Sequence, residues 1–515
     1  MNFKRNIVLI LLLNLTLFIS AQNTIIINAD LGKEKIDKHI YGHFSEHLGT
    51  CIYGGYWVGE DSEVPNTNGI RNDVVDALKE MGIPNLRWPG GCFADEYHWK
   101  DGIGPRTERP TMINTHWGGV TEDNSFGTHE FLELCKQLEC EPVICGNLGS
   151  GTVQEMSQWV EYLNSDNISP MTNLRKANGQ DESWGVKYWG VGNESWGCGG
   201  NFTAQAYADE MRRYSTFLKN YGDNKLYKVA CGPSDYNYEW METLMKNGNP
   251  GRSFQGISLH YYTICHNWTK KGSATEFDES EYFTTMKKTM AMEELLQKHI
   301  TIMDKYDPEN QVGLIVDEWG NWFDVEPGTN PGFLYQQNTL RDAMVASVNL
   351  DLFNKYCRRV KMANIAQTVN VLQAMILTKE DEMVKTPSFY VFKMYKVHHD
   401  ATLLPASIKC DNYTFENESV PTLSATASKD ESGKVHITIS NLDPENAKEV
   451  NCELRGMDVS EFTTGSIITG DKINSYNDFG KKEEVTESAF DAVKMKGNTL
   501  TVNMPAKSVV MVELQ

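Results

Sequence analysis

Positive charge is scarce in this chain of 515 residues: 48 Lys and Arg stand against 69 Asp and Glu, a formal net charge of −21. Nucleic acids and anionic membrane surfaces are bound through basic patches, so neither is an expected partner. The balance favours solubility and a neutral or cationic substrate. Long apolar runs are missing after the first twenty residues, so no later stretch is expected to span a bilayer. Internal repeats and low-complexity linkers are absent too. The 11 cysteines lack metal-site spacing. Cys135, Cys140 and Cys145 are evenly spaced, but they fall on an expected helix, its end and the next strand, which reads as buried thiols.

The N-terminus carries one recognisable pattern. Lys4 and Arg5 precede an apolar run from Ile7 to Ile19, and Ser20-Ala21 supplies small residues. Residues 1–21 therefore read as a cleaved secretory signal, too short for a membrane anchor. The expectation is an exported protein, periplasmic or extracellular, with no membrane partner after cleavage.

The length calls for more than one ordinary core. From Tyr41 onward, short apolar segments alternate with helical ones. The strand candidates are Tyr41–Glu46, Asn85–Trp88, Pro142–Cys145, Lys187–Gly192, Lys228–Cys231, Gly256–His260, Gly313–Asp317 and Val360–Ala366. Helical segments lie between most of them, among them Asn72–Met81, Ala204–Asn220, Phe283–Met303 and Tyr335–Tyr356. Eight such alternations predict an α/β fold, a (β/α)8 TIM barrel over 41–400. From about Ala401 the texture becomes short alternating segments separated by Asn, Asp, Gly and Lys. That predicts an all-β sandwich over 401–515, joined by the N-terminal strand within 22–40.

Barrels of this kind carry their chemistry at the C-terminal ends of the strands. Two carboxylates fall there, Glu194 in KYWGVGNESWGCGG and Glu318 in GLIVDEWGNWF. Hydrolysis of a glycosidic bond needs one carboxylic acid to protonate the departing oxygen and one carboxylate across the anomeric carbon. Glu194 is flanked by Trp189 and Trp196, an apolar setting suited to an acid that must stay protonated. Glu318 wants a cation, and Arg87 is available at the second strand's end. Asp317, on the same strand, is expected on the opposite face. The fourth and seventh strands set the two glutamates across the barrel mouth.

Two other motifs carry residues capable of chemistry. HFSEH (His43 to His47) matches a metallopeptidase pattern, but that site needs a helix, and here the motif follows an apolar strand between glycines. It reads instead as Glu46 at the first strand's mouth and His47 in packing. In LRWPGGCFADEYHW, Cys92 follows a tight Pro-Gly-Gly turn; no triad surrounds it, so packing against a ligand is expected rather than attack.

Taken together, GHFSEHLG with IYGG, LRWPGGCFADEYHW, SFGTHEF, GVGNESWG, SLHYY, IVDEWGNW, ANIAQTVNVLQAM and TPSFYVFKMYKVHHDATLLP resemble glycoside hydrolase family 51, the α-L-arabinofuranosidases. The resemblance covers nearly the whole chain after residue 21. It implies Glu194 as acid/base and Glu318 as nucleophile, with Asn193 on the sugar's 2-hydroxyl. Glu46, Cys92, Tyr262 and Gln367 would line the arabinofuranosyl subsite, with Trp117 and Trp322 as nearby aromatics and Arg87 and His260 as supports. It further implies retention of configuration, no metal and no cofactor, an arabinose-containing oligo- or polysaccharide as substrate, and a homo-oligomer. The loops Asp101–Asn114, His266–Glu281 and Asp324–Gly332 match the family least.

Overall fold

The computed structural model describes residues 23–457 and 461–515. Eight parallel strands close into a barrel in chain order: Gly42–Phe44, Asn85–Trp88, Glu141–Gly146, Tyr188–Val191, Tyr227–Ala230, Gly256–Thr263, Gly313–Asn321 and Val360–Ala366. Every strand anticipated from the sequence takes its place in the ring. Their residues are almost all buried, as expected of parallel strands covered by helices on one side and filled by side chains on the other.

The expected and observed boundaries differ where polar side chains decide them. The helix expected from Tyr335 begins at Leu340. Thr339 caps it: its hydroxyl accepts from Arg341 N, while the Asp342 carboxylate accepts from Thr339 N at 2.6 Å. The helix expected over Phe283–Met303 spans Glu279–Tyr306, started by Asp278, whose carboxylate accepts from Glu281 N. The helix Pro170–Ala177 was not anticipated; Ser169 caps it and proline occupies its first turn.

The sixth and seventh strands run several residues past their anticipated ends and stay paired there, His260 opposite Glu318 and Thr263 opposite Asn321. Register shifts interrupt this pairing between Ser258 and His260, and the seventh strand's pairing with the eighth between Val316 and Trp319. Such irregularities re-aim side chains near strand ends.

The C-terminal region is a two-sheet sandwich with its own core, which includes Ile437, Val450, Leu500 and Val512. The N-terminal strand Asn23–Asn28 lies in it, parallel to Lys448–Arg455 and antiparallel to Ala406–Lys409. Its contact with the barrel is polar as well as apolar. Asp351, on helix Leu340–Lys355, accepts from Ser424, Thr426 and Tyr395 hydroxyls. Among the described residues no helix is long and apolar enough to cross a membrane.

Candidate active site

At the C-terminal mouth of the barrel, strand ends converge on a cavity of about 300 Å³. Nine of the eleven residues singled out above line it: Glu46, Cys92, Trp117, Glu194, His260, Tyr262, Glu318, Trp322 and Gln367. The other two, Arg87 and Asn193, are buried beside them.

Arg87 ties three strands together. Its guanidinium donates to Glu318 Oε1 at 3.0 Å and to Asn193 Oδ1 at 2.6 Å, and lies 3.5 Å from Asp317 Oδ2. Burial disfavours its charge, but the carboxylates of Asp317 and Glu318 outweigh burial and raise its pKa. Glu318 also accepts from the Tyr262 hydroxyl at 2.9 Å. A carboxylate held by donors in this way suits attack.

Glu194 is placed differently. It has a positive φ of 40°, a conformation uncommon for a residue with a side chain. The turn after it bonds back on itself, with Gly197 N and Gly199 N donating to Glu194 O. A Cβ on Gly199 would stand 1.8 Å from Asn193 O, so only glycine permits this approach. Burial pushes the Glu194 carboxyl upward, His260 opposes this, and the charge of Glu318 adds to it.

His260 bridges the carboxylates: Nδ1 is 2.9 Å from Glu194 Oε1 and Nε2 is 3.0 Å from Asp317 Oδ1. Burial works against its cation, but Glu318, Asp317 and Glu194 prevail and raise its pKa to about 10. Burial alone would lift Asp317, yet Arg87 and His260 hold it below the usual carboxylate range.

Glu46 accepts from Phe93 N, Trp117 Nε1 and Gln367 Nε2. Burial, with help from the charge of Glu318, raises it to about 7. Two buried atoms here have no hydrogen-bond partner among the described residues: Asn193 Nδ2, a donor, and Gln367 Oε1, an acceptor. Buried polar groups are seldom left unmatched, so both fit ligand hydroxyls.

Two sequence readings need correction, those of Asp317 and Trp189. Asp317 does not point away from the site, because the register shift after Val316 brings it and Glu318 to the same histidine. Trp189 does not flank Glu194; its ring lies 5.3 Å from that of Trp159, in the core, and only Trp196 reaches the cavity. Cys92 lines the cavity as half of a disulfide with Cys198, whose Sγ is 3.6 Å from Glu194 Oε2. As expected, the HFSEH motif carries no helix: His43 packs on Phe392, and His47 stacks on Phe93 and accepts from Trp88 Nε1.

Two residues were missed. Asp95, on the turn after the second strand, accepts at 2.7 Å from each of Leu148 N, Gly149 N and Asn193 N. Trp268 lies 5.3 Å from Trp322 at the rim and is 56% exposed. Nothing in the local sequence of Asp95 marks it, whereas Trp268 lies in a loop that matched the family poorly.

Oxygens of Glu194 and Glu318 and a nitrogen of His260 lie within 4.8 Å of one another, close enough in distance to share an ion. Both nitrogens of that imidazole are within hydrogen-bond distance of carboxylates, Nδ1 of Glu194 and Nε2 of Asp317.

The barrel and the C-terminal sandwich agree with the comparisons. Residues 77–274 match the description "Alpha-L-arabinofuranosidase 1 domain", and 317–508 match "Alpha-L-arabinofuranosidase C-terminal domain". A protein of Bacteroides ovatus described as "Intracellular exo-alpha-L-arabinofuranosidase" is 56% identical over 96% of this chain and 97% of its own. The solved GH51 arabinofuranosidase of Xanthomonas axonopodis pv. citri superposes with a TM-score of 0.94 at 47% identity, covering 96% of this chain and all of that one.

The chain belongs to glycoside hydrolase family 51.

This family 51 enzyme is thus an α-L-arabinofuranosidase, a glycosidase whose substrate contains arabinose. A second solved relative, from Thermotoga maritima in complex with arabinose, has 30% identity and a TM-score of 0.81 over 96% of this chain and 99% of that one. The Bacteroides ovatus relative is described as intracellular, which overturns the expectation of an exported, periplasmic or extracellular protein. A cationic start followed by an apolar run is an address pattern, and it does not decide location alone. The residues it rested on, 1–21, lie outside those described.

Proposed function

We propose that the enzyme releases terminal, non-reducing α-L-arabinofuranosyl groups by double displacement, with retained configuration. The observation that carries this reading is the opposed pair at one small cavity, with an oxygen of Glu194 and one of Glu318 within 4.8 Å. Retaining glycosidases keep their two carboxyl groups about 5–5.5 Å apart, whereas inverting ones need room for a water.

Glu318, held by Arg87 and Tyr262, attacks the anomeric carbon while Glu194 gives its proton to the departing oxygen. Glu194 then takes a proton from the water that opens the glycosyl-enzyme. Asn193 Nδ2 is the donor for the 2-hydroxyl, and its bond strengthens as positive charge develops on the ring. Glu46, Gln367 and the Cys92 half of the disulfide hold the rest of the sugar; Trp117 fixes Glu46, and Trp322 borders the leaving group.

The small cavity supports exo action on a side-chain or terminal pentose of arabinan, arabinoxylan or a short oligosaccharide. We assign residues 41–400 to the catalytic unit and 22–40 with 401–515 to the sandwich. We also take the enzyme to be a homo-oligomer that binds neither nucleic acid nor membranes. Light scattering tests the assembly. The function is tested by comparing arabinose release from branched and debranched arabinan and from arabinoxylan. Release of arabinose alone from branched polymer is expected; internal cleavage of debranched arabinan contradicts exo action.

A further inference from the structure

The loop after the sixth barrel strand opens with Cys265 and His266, and Glu281 lies 281 − 266 = 15 positions further on, in the first turn of helix Glu279–Tyr306. The fold brings these ends together. His266 Nε2 is 2.6 Å from Glu281 Oε1, and Cys265 Sγ is 3.5 Å from the Glu281 carbonyl oxygen. The thiol sulfur, one imidazole nitrogen and one carboxylate oxygen all lie within 4.8 Å of one another. Cys265 is buried, Glu281 half-buried and His266 exposed, so the cluster has a solvent-facing side through which an ion can enter.

We propose that Cys265, His266 and Glu281 form a binding site for a single divalent transition-metal ion, zinc by ligand type, which clips the two ends of this loop together. A thiolate with an imidazole and a carboxylate is a zinc-like donor set, since calcium and magnesium take oxygen ligands almost exclusively. Three protein ligands leave the fourth tetrahedral position to water on the His266 side.

Two cations, Lys288 and Arg341, neighbour the cluster. Lys288 Nζ donates to the carbonyls of Ile264 and His266, and a thiolate with a carboxylate neutralises a divalent ion locally. The site is separate from the catalytic carboxylates, and the ion takes no part in their chemistry. It acts through the loop, which carries Trp268 to within 5.3 Å of Trp322 at the cavity rim and whose Gly272 N donates to Asp324. Closing a loop at both ends removes conformations in which that wall is open.

The test uses the full chain, stripped with a chelator and titrated with Co2+ as a spectroscopic probe, then with Zn2+ in competition. One equivalent of Co2+ is expected to give a thiolate-to-cobalt charge-transfer band that Zn2+ abolishes. Cys265→Ser is expected to lose the band. His266→Ala and Glu281→Gln are expected to bind at least about tenfold more weakly. Glu194→Gln is expected to bind as the parent does. Absence of the band in the parent overturns the proposal, as does an unchanged band in Cys265→Ser, which would place the ion on another thiol. An affinity unaltered in both His266→Ala and Glu281→Gln overturns it as well.

Discussion

His260 Nδ1 lies 2.9 Å from Glu194 Oε1, so the carboxyl assigned as the proton donor is itself hydrogen-bonded to a cation. That contact sets the pH at which the donor is spent. Burial raises Glu194 and His260 lowers it. Removing the imidazole in His260→Asn takes away the opposing influence, so the Glu194 pKa climbs further. The basic limb of the kcat/KM profile on a natural glycoside is then expected at higher pH than in the parent. An unmoved basic limb would mean that His260 does not tune Glu194.

The proton Glu194 supplies matters only when the leaving group needs it. Glu194→Ala is expected to cost about 10²–10⁴-fold on arabinan-derived oligosaccharides but far less on a nitrophenyl arabinofuranoside. Equal losses on the two substrates would remove Glu194 from the acid role.

Asp95 holds Asn193 without reaching the cavity. Burial raises its carboxyl to about 7 even though three backbone N–H groups oppose this. Asp95→Asn replaces an oxygen acceptor with an N–H2 group facing Gly149 and Leu148 or Asn193. Losing such bonds costs about 1–3 kcal/mol. A kcat loss of about 10-fold or more with little change in KM is expected, because the glutamate beside Asn193 shifts while the sugar's other contacts stay. A pure loss of thermal stability with kcat intact would make Asp95 only a packing residue.

The Cys92–Cys198 bridge links residues 106 positions apart. Chain-entropy arguments put such a closure at about 4–5 kcal/mol, and measured values are commonly 2–4. The double variant Cys92→Ala, Cys198→Ala is expected to unfold at lower urea concentration by an amount in that range. Its kcat on natural glycosides is also expected to fall, because Cys198 Sγ neighbours Glu194 Oε2. Unchanged stability and activity together would show the bridge to be dispensable.

The barrel was legible because eight buried strands and their helices write two distinct periodicities into the sequence, and Gly, Pro and capping residues punctuate them. Glu194 and Glu318 were legible because a carboxylate ending an apolar strand has few structural uses. Asp317 was not, since alternation along a regular strand places it outward and only a register shift returns it to the site. Asp95 escaped for a different reason: its partners are backbone N–H groups of two other strand ends, which no side-chain pattern records. The disulfide depends on a similar long-range meeting, and neither Cys92 nor Cys198 reveals the other.

The central claim is that Glu318 forms a covalent bond to the sugar, which Glu194 then helps to break. Its most direct test is the anomeric configuration of the product formed when methanol intercepts the reaction, read by proton NMR before the product is hydrolysed. Methyl α-L-arabinofuranoside is predicted from an α-linked donor, with Glu318→Ala inactive. A β-configured methyl glycoside would mean single displacement and would contradict the account.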